Sequence, residues 1–184
     1  MLFSYLSENG ISSKIIDGDA IRQKDKNYSF EKNDIIDNNE RIIELCKQLQ
    51  MDYNYLLVSV ISPFEETRRK AREIFVNRYI EVFVYASMKT VIKSDTKGLY
   101  KKDLSENKKN MIGLNPKLPY EEPERSEIII NTDYEEPEES LNRLIQIDYT
   151  LRVQSLTTFT ETSSTAASTS NTISGTTAGS NTGY

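Results

Sequence analysis

Ile15-Ile16-Asp17-Gly18-Asp19-Ala20-Ile21-Arg22 is the stretch on which the reading of this chain turns. Two β-branched residues suit a buried strand, and the glycine permits a tight turn directly after it, so Asp17 and Asp19 should emerge at the strand's carboxyl edge. In open α/β sheets that edge is where ligands bind. Arg22 stands one helical turn beyond Asp19, and its planar guanidinium suits a phosphate or sulfate. The plain alternative is an Asx-type turn whose aspartates hold only backbone amides.

Outward from this stretch, strands and helices alternate. Tyr55 to Ile61, Tyr-Leu-Leu-Val-Ser-Val-Ile, is nearly continuously apolar, the pattern of a strand covered on both faces in a parallel sheet. Ser12 to Ile16, Ile80 to Val84 and Glu127 to Asn131 read as three more strands, Ile80 to Val84 buried like Tyr55 to Ile61. Ile35, Ile42, Ile43, Leu45, Cys46 and Leu49 give Asn33 to Gln50 the apolar face of an amphipathic helix. Ser62-Pro63-Phe64-Glu65 has the parts of a helix start, with an N-cap serine, proline at the first position and a capping-box glutamate, and predicts a helix to about Val76. Ser87 can cap a short helix through Lys93, Glu138 to about Leu151 reads as a closing helix, and Met1 to Glu8 ends a helix at Asn9-Gly10. Gln23 to Phe30 is loop-like, and Asp95 to Pro119, rich in Lys and Asn, resembles a lid. The alternation predicts an α/β domain with a mostly parallel sheet over residues 1–153. The Ser/Thr-rich residues 154–184 cannot repay their ordering entropy and read as a disordered tail, with a glycosylated stalk as the alternative.

Composition narrows the chemistry. With 184 residues one domain is the default. A net charge of -5 and a pI near 5.0 argue against nonspecific nucleic-acid binding. The chain has no histidine, which removes Ser-His-Asp and Cys-His schemes and His-ligated zinc, so a general base must be a carboxylate, lysine or tyrosine. The lone Cys46 cannot form an internal disulfide and suits a reducing compartment, where it reads as a small buried hydrophobe. There is no membrane-length apolar run and no signal-peptide pattern, so the chain reads as soluble and cytoplasmic.

Four pieces stand in a fixed order: Asp17-Gly18-Asp19 with Arg22; Asn38 on the long helix; Ile61-Ser62-Pro63-Phe64; and Ile80-Glu81-Val82-Phe83-Val84 followed by Asp95-Thr96-Lys97-Gly98-Leu99-Tyr100-Lys101-Lys102. Over about Ile11 to Asp133 this set resembles the adenylylsulfate kinases, the Lys-Gly-Leu-Tyr-Lys-Lys run being its most specific part. The resemblance implies a P-loop nucleotide-kinase-like three-layer α/β fold and ATP-dependent phosphorylation of the 3'-hydroxyl of adenylyl sulfate, with ATP and magnesium as cofactors. It implies nucleotide partners, neither nucleic acid nor membrane, with a homodimer left open. By position, Asp19 would orient or deprotonate the 3'-hydroxyl and help hold magnesium. Arg22 and Asn38 would hold the phosphosulfate and ribose side, Phe30 would stack on adenine, Ile61 and Ser62 would line the pocket, and Lys97 would reach the phosphates from the lid.

Each role has a rival. Ser62 matches a serine proposed as a phosphoserine intermediate, yet its capping context explains it. Lys97, Lys101 and Lys102 could be a solvated face, and Phe30 a core residue.

The chain also departs from the family. The family's upstream strand and Gly-x-x-x-x-Gly-Lys-Ser/Thr loop do not occur in these residues, so the domain reads as incomplete at its N-terminus, with two neighbouring strands left short of partners. Ile35 stands in place of an acceptor-binding arginine, Met111 of a second aromatic, Ser94 of an arginine, Ala20 of an asparagine and Tyr85 of an aspartate. These departures keep two alternatives in view: a noncatalytic nucleotide-binding or interaction protein, or a kinase for a different anionic nucleotide.

Overall fold

A computed structural model describes residues 1–24, 31–95, 112–113, 115–147 and 149–150. In chain order the elements are α1 (Leu2–Glu8), β1 (Ser13–Asp17), α2 (Gly18–Lys24), α3 (Lys32–Leu49), β2 (Tyr55–Ser59), α4 (Glu65–Phe75), a 3-10 turn (Val76–Arg78), β3 (Val82–Tyr85), α5 (Met88–Lys93) and β4 (Ile128–Asn131). All lie in one compact unit, Met1–Leu141. The second unit, Asn142–Tyr184, is described at 142–147 and 149–150, all helical as the closing helix required. The expected tail, 154–184, lies outside the described residues, as do Phe30, Lys97, Lys101, Lys102 and Met111.

The strands form two parallel pairs instead of one sheet. β1 pairs with β2 from Ser13 opposite Tyr55 to Asp17 opposite Ser59, and β3 pairs with β4 from Val82 opposite Ile128 to Tyr85 opposite Asn131. Among the described residues β2 has no hydrogen-bonded neighbour beyond β1, nor β3 beyond β4. This corrects the reading of Tyr55 to Ile61 and Ile80 to Val84 as fully covered strands: Val58 is 42% and Val84 60% exposed. An apolar run reports the cover that a strand's faces need, and among the described residues these two strands each leave an apolar side chain open.

Helix α3 contributes to both core clusters. Its Ile42 and Cys46 pack on Ile16 of β1, with Ile21, Leu56 and Val60 around them. Burial pushes the Cys46 thiol up to about 11, which suits a hydrophobe and not a nucleophile. A second cluster joins Ile35 to Phe64 and Leu118. Leu118 belongs to the stretch expected to be a lid, yet it is buried, and its carbonyl accepts from Gly113 N at 2.8 Å. The end of that stretch is therefore packed structure, and residues 96–111 lie outside the described residues.

The Asp-Gly-Asp stretch does not form a loop after β1: helix α2 begins at Gly18 itself and reaches Lys24, into the stretch expected to be loop. Gly18 is required for space. A Cβ there would lie 2.8 Å from Val60 Cγ2 and 3.4 Å from the Ser59 carbonyl, and a β-branched neighbour has little freedom to yield. Gly18→Ala should lower the unfolding free energy by about 1–3 kcal/mol, the usual cost of overpacking. Denaturant titration checks this, and wild-type stability would mean that the ends of β1 and β2 separate easily.

At α5 the expected serine cap forms, with Ser87 Oγ accepting from Thr90 N. Asp133, just after β4, accepts from Ser87 N at 3.1 Å and from Ser87 Oγ at 3.2 Å. The Thr90 hydroxyl, and then Ser87, hold its carboxyl below the usual carboxylate range. A depressed folded pKa gives stability that is present above the unfolded value and lost as pH falls through the folded one. Asp133→Asn should therefore lower the melting temperature at neutral and alkaline pH, where wild type has the ionised carboxylate, and converge on wild type at acid pH, so that the acid limb of melting temperature against pH is flattened.

Candidate active site

The site is built at the carboxyl ends of β1 and β2. Asp17 and Ser59 are opposite each other, and beyond them the chain enters α2 on one side and the segment Val60 to Phe64 on the other, in contact where Gly18 meets Val60. Asp17 Oδ1 accepts from Asp19 N at 2.9 Å, so the Asx-turn reading is right for Asp17. Asp19 is exposed in the first turn of α2, and Arg22 is half-buried one turn on. The two residues are thus presented from one short helix at a strand edge, as the spacing required.

Ser62 is not the cap of α4. The helix begins at Glu65, with Phe64 at its N-cap in extended conformation and without a capping side chain. Pro63 and Phe64 are fully buried, and the Glu65 amide is taken by Glu121 Oε2 at 2.6 Å. A carboxylate from a distant segment thus replaces the local capping box. α4 also ends at Phe75, one residue short of Val76, which has a positive φ of 47°.

The Ser62 hydroxyl instead lies 2.9 Å from Thr67 Oγ1 and accepts from Asn39 Nδ2 at 3.3 Å. Its carbonyl accepts from Arg68 Nη1 at 2.7 Å. Ile61, beside it, is exposed. On α3, Asn38 and Asn39 are 3% and 4% exposed, on the same buried side as Ile35 and Ile42. Asn38 Nδ2 and Asn39 Oδ1 have no hydrogen-bond partner among the described residues.

Arg68 fastens the segment from behind. It also donates through Nη2 to Glu65 Oε2 and to the Glu121 carbonyl, each at 2.7 Å, and its Nε lies 3.3 Å from Glu81 Oε1. Beside it, burial alone would raise the Glu127 carboxyl, but the Arg72 guanidinium and the Glu81 amide hold it below its usual value. Burial first, and then Glu81, push the Tyr79 hydroxyl up.

The departures are partly explained. Ile35 is completely buried against Phe64 and Leu118, a packing role that leaves no room for a charged head. The nearby cation Lys32 sits over the Phe64 ring at 4.9 Å and pairs with Glu66 at 3.2 Å. Tyr85 is exposed and packs edge-on to Phe83. Asn39, Thr67, Arg68 and Glu121 were not singled out from the sequence. The one sequence signal was an adjacent polar pair, Asn38-Asn39, on a helix face otherwise made of isoleucines and Cys46.

Among the described residues no group of three or more His, Cys, Asp or Glu could hold a metal. One or two carboxylates at a strand edge still suit magnesium, which keeps several waters and is shared with substrate phosphates. No helix among those residues is long and apolar enough to cross a membrane.

Comparison with known proteins gives the family and the fold. The model of the adenylylsulphate kinase family matches residues 1–131. An adenylyl-sulfate kinase of Thermodesulfovibrio yellowstonii is 36% identical over 146 residues, covering 77% of this chain and 70% of the relative. One from Staphylococcus carnosus is 37% identical over 143 residues, covering 77% and 71%. Among solved structures, the Mycobacterium tuberculosis APS kinase CysC in complex with AMPPNP and APS superposes with a TM-score of 0.71 at 26% identity, covering 79% of this chain and 84% of that one. The nucleotide-kinase-like α/β class expected from the sequence is therefore the class of the fold.

Proposed function

The chain belongs to the adenylylsulphate kinase family, and from that premise we propose that it serves the ATP-dependent phosphorylation of adenylyl sulfate at its 3'-hydroxyl, giving 3'-phosphoadenylyl sulfate. The observation that carries this reading is the meeting of the Asp19 and Arg22 helix with the Ile61-Ser62 segment at the carboxyl ends of paired parallel strands. The related APS kinase solved with AMPPNP and APS supports it.

In this reading Arg22 and Asn38 hold the phosphosulfate and ribose of the acceptor, and Ile61 and Ser62 line its pocket. Phe30 stacks on the adenine, and Lys97 reaches the phosphates. Asp19 takes the proton from the 3'-hydroxyl as its oxygen bonds to the γ-phosphorus of ATP and the β–γ bridge breaks. Catalysis of this kind is mainly positioning and neutralisation of charge. Magnesium, when bound beside Asp19, supplies part of that neutralisation. No Gly-x-x-x-x-Gly-Lys-Ser/Thr loop occurs in the sequence, so apart from Lys97 no residue here is assigned to the phosphates, and none to a loop that cradles those of ATP.

The test has two arms. Titration calorimetry of the purified chain with adenylyl sulfate should show saturable binding, and its absence would overturn the reading. Incubation with ATP, magnesium and adenylyl sulfate then separates turnover from binding alone; binding without 3'-phosphoadenylyl sulfate would leave an acceptor-binding protein.

A further inference from the structure

We propose that Asn39 and Thr67 are positioning residues that fix the direction of the Ser62 hydroxyl, so that Ser62 meets a ligand only as a hydrogen-bond acceptor. The proton count carries this. Thr67 is buried, and its hydroxyl donates to the Phe64 carbonyl at 2.9 Å. A hydroxyl has one proton, so the 2.9 Å contact between Ser62 Oγ and Thr67 Oγ1 must be made by the Ser62 proton. Ser62 then has no proton for Asn39, and the Asn39 amide must present its NH2, as it does at 3.3 Å. The result is a relay of one direction, from Asn39 through Ser62 and Thr67 to the Phe64 carbonyl.

Two consequences follow for chemistry. The Ser62 proton is committed to a neutral hydroxyl and not to a base, so Ser62 is not set up as a nucleophile or phosphoryl carrier. The remaining lone pair of Ser62 and the unpartnered Asn39 Oδ1 are acceptors, while the unpartnered Asn38 Nδ2 is a donor. Because Arg68 Nη1 pins the Ser62 carbonyl at 2.7 Å, the segment cannot easily swing to change this set. Acceptors on Ser62 and Asn39, with a donor on the adjoining residue Asn38, suit a vicinal diol, each of whose hydroxyls gives and takes one hydrogen bond. This assigns the set to the ribose of the acceptor nucleotide, a step that rests on the function proposed above.

The relay is tested first without ligand, by a double-mutant cycle of Asn39→Ala and Thr67→Val read as denaturation midpoints. The two changes should be non-additive, since either one interrupts the same chain; additive effects would overturn the relay. In the full chain, Thr67→Val should then weaken adenylyl sulfate binding about tenfold, the loss of roughly one hydrogen bond. Thr67→Ser should restore binding to within about twofold. The tenfold effect should vanish for whichever of the 2'-deoxy or 3'-deoxy analogues lacks the hydroxyl that donates to Ser62. An equal loss for every analogue would overturn the proposal. Should the wild-type chain bind no adenylyl sulfate while the cycle is non-additive, the relay stands and the functional reading fails.

Discussion

Arg68→Met should lower the unfolding free energy by about 3–5 kcal/mol, the range seen when one member of a buried ion pair is removed. The side chain of Arg68 is 5% exposed and that of its partner Glu81 10%. With the guanidinium gone, Glu81 keeps a buried charge whose other cation, Arg72, lies 3.3 Å away and is 31% exposed. The carbonyls of Ser62 and Glu121 lose their 2.7 Å donors at the same time. Four acceptors from three parts of the chain, Ser62 with Glu65, Glu81 and Glu121, converge on one planar fork, so Arg68→Lys should recover only part of the loss. Arg72→Met makes the contrast. Its pairing with Glu127 raises its own pKa, but the group is open enough to water that screening should limit the cost to about 1 kcal/mol or less. Denaturant titration of the three variants decides the matter. If Arg68→Met and Arg72→Met cost the same, burial is not what gives Arg68 its weight.

The contrast between the two arginines also shows what a sequence can and cannot carry. Elements governed by local rules were legible: α3 from its apolar spacing, β1 from its β-branched pair, α5 from the Ser87 cap. Ser62-Pro63-Phe64-Glu65 obeys the same kind of rule and yet does not cap α4, because Glu121 arrives 56 residues later and takes the Glu65 amide. Local propensity is a weak prior wherever a tertiary partner competes. The apolar runs of β2 and β3 likewise announce that they need cover, while the exposure of Val58 and Val84 depends on which neighbours are present. At the site, Asp19 and Arg22 could be named because their spacing places them at a strand end, and Ser62 through the family resemblance. Asn39, Thr67 and Arg68 could not, since their roles come from α3, α4 and the Ser62 segment meeting in space. Ile35 was noticed as a departure, and its burial against Phe64 and Leu118 supplies the physical reason.

Arg22→Met should cost about 100-fold in affinity for adenylyl sulfate, and Asp19→Asn should cost nothing. Hydrogen bonds to a charged group contribute roughly 1.5–3 kcal/mol each, and a factor of ten corresponds to about 1.4 kcal/mol, so loss of one forked contact to the phosphosulfate reaches two decades. Asp19 has the opposite electrostatic sense: a carboxylate close to an anionic acceptor repels it, so the neutral amide should bind equally well or more tightly. The chemistry should divide the other way. Where turnover is measurable, Asp19→Asn should lose about 100-fold to 10,000-fold in rate, the usual contribution of a placed general base. Rising ionic strength should weaken the wild-type complex more than the Arg22→Met complex, because the variant has already lost the screened attraction. Calorimetry at two salt concentrations, paired with a transfer assay, separates these outcomes. Equal loss of binding in both variants would make Asp19 an acceptor ligand and not a base. Unchanged binding in Arg22→Met would remove the anion from that side of α2. Gly18 gives the comparison its sharpness, since its close approach to Val60 ties the first turn of α2 to the end of β2. Asp19 and Arg22 therefore share one fixed helix, and a difference between their variants reports side-chain chemistry and not a shift of the element that carries them.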